Sequence, residues 1–300
     1  MQKVSLQQIS MKKKILTQLK TLPLPVILKP LYKPISGSQN LNQILTDQKA
    51  ISNMIAYNFL NKGFTNFAFA GYGSLTWSNS RLNAFKEIIN SAGYNLHTYQ
   101  LAKKQNTSWV EEQIQLIDWL KSLPKPLALM SCNDDCGRRI IEACKLAQLN
   151  VPDQIAVIGV DNDESVNELT TPPLSSVRLN TPKAGYQAAK LMDDLIRQRR
   201  VNQKTISVKP IDIITRQSSN ILAVQDQQLT RALRFIKNNA SNIIQVHDVA
   251  KHASLSRRTL ERRFKQNLNR SISSEIQRTH VERAKDLLSE TKLPVTAIAE

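Results

Sequence analysis

The sequence predicts an α/β domain followed by an all-α domain, and two features of the chain indicate this order. From about Asn66 to Ser219, apolar strand-like runs alternate with amphipathic helical stretches, which is the pattern of βαβ units around a parallel sheet. Beyond them, the glycine-free segment Leu229 to Glu300 is helix-rich and has no strand pattern. We therefore predict two domains, residues 1–223 and 224–300, with the boundary near residue 224.

The α/β segment is a series of strands and helices. The strand-like runs are Asn66 to Tyr72, Asn95 to Gln100, Pro126 to Cys132 and Ile155 to Val160. The helical stretches are Arg81 to Gly93, a segment through Ile114, Ile117 and Leu120, Cys136 to Leu149, and Ala184 to Ile196. The run Ile155 to Val160 is continuously apolar, which is typical of a strand buried on both faces of a parallel sheet.

Polar side chains follow three of these runs. The segments concerned are Gly71 to Arg81, Asn133 to Asp135 and Asp161 to Glu164. In open parallel sheets, ligands bind in the crevice beyond the carboxyl ends of the strands. Arg81, Asn133, Asp134 and Asp161 are therefore candidate ligand-binding residues. Each also has a structural interpretation, as a surface cation or as a cap of a loop or helix, but three polar groups at three strand ends together favour a site.

The composition points to a polyanionic partner without proving one. The formal net charge is +17 and the sequence pI is about 9.9, which raises the local concentration of nucleic acid around the chain. A solvated basic surface is the alternative. The three cysteines, Cys132, Cys136 and Cys144, lie in one short stretch without metal-ligand spacing, which favours reduced, buried thiols.

Neither an export signal nor a membrane span is predicted. The basic cluster Met11 to Lys14 precedes an apolar run that Thr, Gln, Lys and Pro interrupt before it reaches signal-peptide length. No apolar run approaches the length of a transmembrane helix. The expected location is the cytoplasm, with no membrane partner.

A helix-turn-helix is predicted between Ile243 and Lys265. Val246, Val249, Ala250 and Ala253 lie on one face of a short helix, and a break at Ser254 to Ser256 follows. Ser256 is a candidate N-cap of the second helix, in which Leu260 and Phe264 would face inward. The outward residues would be Arg257, Arg258, Glu261, Arg262 and Lys265. Such a helix suits the major groove of duplex DNA, where arginine can bind guanine through two hydrogen bonds; a solvated basic helix face is the alternative.

The segment Leu229 to Glu300 resembles the DNA-binding domain of the AraC/XylS family of bacterial regulators. The stretches SLSRRTL (Ser254 to Leu260) and RSISSEIQRTHVERAKDLLSETKLPVTAIAE (Arg270 to Glu300) carry the resemblance. The family pattern matches Arg278, Ala284, Leu287, Leu288, Ile298 and Ala299. The resemblance implies two helix-turn-helix units joined by a long helix, which Ile272 to Glu290 would supply.

The chain departs from this family pattern in three places. A turn glycine is replaced by Ser254, and the glycine before the linker helix is replaced by Asn269. Because serine tolerates a left-handed backbone less readily than asparagine, we expect slight strain at Ser254. The sequence stops at Glu300, inside the first helix of the second unit, so we expect an incomplete DNA-binding domain without the second recognition helix.

The upstream segment resembles the periplasmic-binding-protein-like sensor of the LacI/GalR family. The stretches that carry this resemblance are FAFAGYG, SRLNAFKEII, ALMSCNDD, VPDQIAVIGVDND, PLSSVRLN and AGYQAAKLM. The resemblance implies parallel sheets in two lobes, of which the first is expected to be incomplete, because its early elements have no counterpart before about Leu24. LPLPVILKP (Leu22 to Pro30) resembles a strand from the middle of that lobe.

The two resemblances together imply a sugar-controlled, sequence-specific transcription regulator of a sugar catabolic operon, with D-xylose as effector. They place sugar contacts at Arg81, Asn133, Asp134 and Asp161, with Trp77 and Asp47 as weaker candidates for which a structural role is the alternative. The chemistry agrees, because sugar hydroxyls pair with carboxylates, amides and guanidinium groups while an apolar sugar face stacks on an aromatic ring. Duplex DNA and a second copy of the chain are the expected macromolecular partners.

The sequence leaves two other functions as alternatives. An enzyme is disfavoured because Gly71 to Gly73 lacks the third glycine of a dinucleotide loop and no phosphate-loop lysine motif is present. The histidines, His97, His247, His252 and His280, lack metal-ligand spacing, so no metal or cofactor is expected. The second alternative is a sugar-binding module, or a regulator fragment, without specific DNA binding.

Overall fold

The computed structural model describes residues 25–29, 42–101, 109–197, 199, 205–221, 226–268, 270–290 and 294–299. Internal contacts divide the chain into two units. The first comprises Met1–Asn58 and Thr65–Ile221, and the second comprises Phe59–Phe64 and Leu222–Glu300.

The first unit alternates strands with helices, as its sequence pattern predicts. Its strands are β1 (Ile27–Leu28), β2 (Asn42–Thr46), β3 (Asn66–Gly71), β4 (Leu96–Gln100), β5 (Leu127–Ser131), β6 (Ile155–Asp161), β7 (Ser175–Leu179), β8 (Thr205–Val208) and β9 (Pro210–Ile214). Its helices are α1 (Gln48–Asn61, of which residues 59–61 are assigned to the second unit), α2 (Thr76–Ser91), α3 (Trp109–Ser122), α4 (Asp134–Leu146), α5 (Glu164–Asn167) and α6 (Thr181–Ile196), and a 3₁₀ turn spans Gln217–Ser219.

The strands of this unit form two sheets. The larger has the order β4-β3-β5-β6-β7-β9, in which every neighbouring pair is parallel except β7 and β9. The smaller has the order β1-β2-β8 and is parallel. The prediction of a parallel α/β domain is confirmed. The carboxyl ends of β3, β5 and β6 lie at one edge of the larger sheet, where the candidate ligand residues follow.

The central strands explain the apolar runs of the sequence. All five residues of β5 are buried, and Ile155 to Val160 of β6 are fully buried. Fully burying one such aliphatic side chain contributes roughly 1.5–3 kcal/mol, so the two strands anchor the unit. The predicted buried thiols are also confirmed, because Cys132, Cys136 and Cys144 are free and buried.

Two helices begin earlier than the sequence pattern indicates. Helix α2 starts at Thr76 and not at Arg81, so Arg81 and Trp77 lie in its first two turns, not in a loop. Helix α4 starts at Asp134 because the Asn133 side chain caps it, accepting a hydrogen bond from the Cys136 amide at 3.1 Å. The predicted strand at Leu22 to Pro30 is represented by β1, and residues 22–24 and 30 lie outside the described residues.

The second unit is helical in its described residues. Its helices are α7 (Gln227–Asn238), α8 (Val246–His252), α9 (Arg257–Leu268), α10 (Ile272–Glu290) and α11 (Val295–Ala299). One apolar cluster joins α7, α8, α9 and the start of α10, with Ile236, Val249 and Phe264 fully buried in it. The predicted pair of short helices is confirmed, and α10 spans the predicted linker helix. Within the described parts of both units, no helix has the length and apolarity that a membrane crossing requires.

Candidate functional site

The Arg81 side chain is the centre of the candidate ligand site. It is 4% exposed, its Nε donates to Gln48 Oε1 at 2.6 Å, and its Nη1 donates to the backbone carbonyl of Cys132. Its Nη2 lies 3.9 Å from Asp161 Oδ1, and its guanidinium carbon lies 5.0 Å from the centre of the Trp77 ring. Arg81 therefore ties together the start of α1, the end of β5 and the end of β6.

The electrostatics of this cluster follow from burial. Burial lowers the pKa of Arg81, while the nearby Asp161 carboxylate opposes that shift. Burial likewise raises the pKa of Asp161, and Arg81 opposes that shift. Arginine stays charged at neutral pH even so. The pair places a fixed positive charge and a carboxylate side by side at the sheet edge.

The backbone at Asp161 has an unusual conformation. Its φ is 111° and that of Asn162 is 53°, so two consecutive residues without glycine's freedom adopt positive φ. Such conformations cost roughly 1–3 kcal/mol each and persist only where the surroundings hold them. The Asp161 side chain is 48% exposed, so its carboxylate remains open to a ligand.

Asn133 and Asp134, predicted together, have different surroundings. Asn133 is half-buried and uses Oδ1 to cap α4, while its Nδ2 donates to no residue that the structure describes. That amide remains available to a ligand. Asp134 is 2% exposed, and its carboxylate accepts hydrogen bonds from protein groups. Of the two side chains, Asn133 is therefore the one with a free donor.

The two weaker candidates, Trp77 and Asp47, also have different surroundings. Trp77 is half-buried and stacks near Arg81, so it joins the site. Asp47 caps α1 through Oδ1, which accepts from the Ala50 amide at 3.0 Å, and its own amide donates to the Val208 carbonyl at 2.9 Å. Asp47 thus has the structural role that the sequence left open, and it ties β2 to the end of β8.

The structure brings Trp77, Arg81 and Asp161 into one cluster, with Asn133 adjacent in sequence to Cys132. Gln48, which holds Arg81, was not predicted, because a glutamine at a helix start carries no distinctive sequence signal. A carboxylate, a guanidinium, a free carboxamide and an indole face are together suited to a polyhydroxylated ligand, because they supply acceptors, donors and an apolar stacking surface. No phosphate-binding glycine loop accompanies them in the described residues.

The helix-turn-helix residues lie as the sequence predicts. Ser256 caps α9, because its Oγ accepts from the Thr259 amide at 3.2 Å. Leu260 and Phe264 are fully buried. The predicted outward residues are all exposed: Arg257, Arg258, Glu261, Arg262 and Lys265. Glu261 accepts a hydrogen bond from Arg257 at 2.8 Å, four residues earlier in the helix.

The turn before α9 has the strain expected of its sequence. Ser254 adopts a φ of 54°, the left-handed region that favours glycine. Its neighbours form the turn through hydrogen bonds from the Ser254 amide to Lys251 and from the Leu255 amide to Ala250. The prediction of a strained turn is confirmed. The second replaced glycine, at Asn269, lies outside the described residues.

Comparisons with known proteins agree with both units. The periplasmic binding protein-like domain family matches residues 56–219, and a helix-turn-helix domain family matches residues 249–300. The xylose operon regulatory protein of Haemophilus influenzae is 34% identical over 272 residues, which cover 90% of this chain and 70% of that protein. The Escherichia coli K12 protein of the same name is 30% identical over 263 residues, covering 87% of this chain and 67% of the relative.

Solved structures give the same result. A structure of the xylose-binding transcription activator XylR superposes with a TM-score of 0.64 at 29% identity, covering 96% of this chain and 77% of that one. A LacI family regulator from Bifidobacterium animalis subsp. lactis has a TM-score of 0.56 at 23% identity over 72% of this chain and 74% of that one, which shows the fold alone. The similar proteins are transcription regulators and not enzymes.

Proposed function

Because the chain belongs to the family of xylose operon regulatory proteins, sugar-responsive DNA-binding transcription regulators, we propose that D-xylose is its effector and a sugar catabolic operon its target. The relatives are named for the xylose operon, and the matched structure is named as xylose-binding. The proposed complex contains duplex DNA and two copies of the chain, and it works in the cytoplasm, where bacterial DNA lies.

The observation that carries this proposal is the cluster of Trp77, Arg81 and Asp161 at the carboxyl edge of the parallel sheet. In the proposed complex the Asp161 carboxylate accepts hydrogen bonds from two sugar hydroxyls, and the Trp77 ring covers the apolar face of the sugar. Arg81 donates to a third hydroxyl with the side of its guanidinium that faces Asp161. Asn133 supplies a further donor through Nδ2.

In the second unit, helix α9 is the proposed DNA-reading element. Arg258, Arg262 and Lys265 are exposed and make no ion pair with any residue in the described parts of the chain, so their donors are free for bases and phosphates. Arg257 and Glu261 pair with each other and present one donor-acceptor surface. Two copies of the chain would place two such helices on successive half-sites.

Isothermal titration of the full chain tests the sugar assignment. We expect saturable binding of D-xylose, and we expect Asp161→Asn to weaken it by about tenfold or more, because a hydrogen bond to a charged group contributes about 1.5–3 kcal/mol. Asp153→Asn, which changes an exposed carboxylate of the same unit, is the matched control and should bind as the unaltered chain does. Absence of D-xylose binding, or equal binding by the Asp161 variant, would contradict the assignment.

A further inference from the structure

Asp134 is a buried carboxylate whose hydrogen bonds reach the loop after β6, helix α5 and strand β7. It is the first residue of α4 and is 2% exposed. Its Oδ2 accepts from the Asp163 backbone amide at 2.8 Å and from Asn167 Nδ2 at 3.0 Å, and its Oδ1 accepts from Ser176 Oγ at 2.6 Å. A carboxylate buried this deeply needs such donors, because an unpaired charge in the interior is costly.

The same bonds reach both residues that follow Asp161. Ser176 Oγ, which donates to Asp134, also accepts from the Asn162 backbone amide at 3.0 Å. Asp163 is bonded to Asp134 directly. The backbone on the carboxyl side of Asp161 is therefore fixed at two consecutive amides by one buried carboxylate and the serine that it holds.

The loop needs this restraint. Positive φ values such as those of Asp161 and Asn162 persist only where the surroundings hold them, and in this conformation the Asp161 carboxylate lies 3.9 Å from Arg81 Nη2. The absence of a side chain at Gly159 in β6 leaves room for the Asp134 carboxylate. A Cβ at this position would collide with Asp134 Oδ1. Glycine at this point in β6 is thus required by the position of Asp134, not by the strand conformation.

We propose that Asp134 is a positioning residue of the sugar site: through Ser176 and the Asp163 amide, it holds the strained backbone that presents the Asp161 carboxylate to the sugar beside Arg81. This inference rests on the proposed function, since it assigns Asp134 a role in the same site. It replaces the direct sugar contact that the sequence predicted for Asp134. It also explains why the neighbouring side chains of Asn133 and Asp134 differ. Asn133 has a free amide donor, whereas protein donors enclose the Asp134 carboxylate.

The test compares Asp134→Ala and Ser176→Ala with two controls in the full chain. Ser176→Thr keeps the hydroxyl and should restore the behaviour that Ser176→Ala loses. Asp135→Asn alters the adjacent exposed carboxylate, which bonds to Arg138 and Tyr72 and not to the loop. Hydrogen exchange at the Asn162 and Asp163 amides is measured without sugar, and D-xylose affinity is measured by isothermal titration.

We expect both alanine variants to exchange these amides about tenfold faster or more, and to bind D-xylose about tenfold more weakly, in line with the loss of a hydrogen bond to a charged group. Asp135→Asn should match the unaltered chain in both measurements, and Ser176→Thr, which keeps the hydroxyl, should lie closer to the unaltered chain than Ser176→Ala does. If Asp134→Ala does not fold, the Ser176→Ala and Ser176→Thr pair gives the same comparison.

The outcomes separate the inference from the proposed function. Unchanged hydrogen exchange at both amides overturns the positioning role. If D-xylose binding nevertheless weakens in Asp134→Ala, Asp134 is a direct sugar ligand. Faster exchange combined with no D-xylose binding by the unaltered chain would support the positioning role and overturn D-xylose as effector.

Discussion

Arg81 shows how one side chain can organise a site that the sequence only outlines. Its hydrogen bonds reach elements far apart in the chain, to Gln48 and to the Cys132 carbonyl, and its remaining side faces Asp161. Burying a guanidinium is tolerated because each polar face meets an acceptor or an aromatic ring. The side chain is thus both a structural tie and the fixed charge of the candidate site.

The raised pKa of Asp134 gives a pH dependence of stability with a definite sign. Burial raises this pKa to about 6, and the nearby Asp161 carboxylate adds to the rise against the hydrogen bonds from Ser176, Asp163 and Asn167. The unfolded chain has the ordinary aspartate pKa of about 3.9. The folded state therefore binds more protons than the unfolded state between these values, so stability from this carboxyl is full below about pH 4 and is lost as the pH rises through about 6.

Urea unfolding between pH 4 and pH 7 measures this effect. Relative to Asp134→Asn, which cannot titrate, the unaltered chain should lose about 2–3 kcal/mol of unfolding free energy over that range. Titrating groups that do not interact with Asp134 are common to both proteins and cancel in the difference. Parallel pH profiles of the two proteins would show that the carboxyl does not titrate in this range.

Ser254 should be replaceable with a gain in stability. Glycine adopts a φ of 54° without the cost that serine has there, although it also makes the unfolded chain more flexible. We expect Ser254→Gly to raise the unfolding free energy by about 0.5–1 kcal/mol in urea. Ser241→Gly is the control, because Ser241 is exposed in a turn and is not among the positive-φ residues. A loss of stability in Ser254→Gly would contradict the assigned strain.

At the scale of elements, the hydrophobic pattern of the sequence was sufficient to predict strands whose side chains are apolar and buried. It predicted the buried strands β3, β5 and β6, whereas the bounds of α10 were predicted by the resemblance to the AraC/XylS family. It did not indicate β7, whose sequence SSVRL is rich in serine. Ser175 and Ser176 are nevertheless fully buried, because their hydroxyls bond to Arg216 and Asp134. A polar strand stabilised by side-chain bonds has no period that a sequence reveals.

The site was predicted less completely than the fold, for a related reason. The strand ends predicted the edge at which Arg81 and Asp161 lie together, but nothing in the sequence distinguishes a carboxylate that faces solvent from one turned inward. Asp134 and Asp161 therefore had the same predicted role until the structure placed their donors. The start of α2 was missed because Leu75, which precedes it, provides no side-chain cap.

Helix α9 gives a prediction about DNA. Arg262→Ala should weaken binding to the operator by about 1–3 kcal/mol if Arg262 contacts a base, or should lower the salt dependence by about one phosphate contact if it touches the backbone. Lys145→Ala, which removes an exposed cation of the first unit, serves as control and should do neither. Anisotropy titrations at several salt concentrations distinguish the two cases, and an unaltered affinity and slope would remove Arg262 from the DNA contacts.

At the scale of the whole molecule, the chain combines a sensor fold with a DNA-reading fold, and each unit has its own core. A ligand can alter DNA binding only through a difference in its affinity for two states of the protein, and such coupling commonly amounts to about 1–3 kcal/mol. The net charge of +17 adds a sequence-independent attraction to DNA, which is strongly salt-dependent. Regulation must therefore be distinguished from simple electrostatic attraction.

Fluorescence anisotropy provides that distinction most directly. The full chain is titrated onto labelled duplex from the region upstream of its own gene, at two salt concentrations, with unrelated competitor DNA and with or without D-xylose. A sugar-responsive regulator should bind this duplex saturably in the presence of competitor, and D-xylose should change its Kd about fivefold or more. Weak binding that does not depend on the DNA sequence would contradict the account if it decreases with salt and is unchanged by D-xylose.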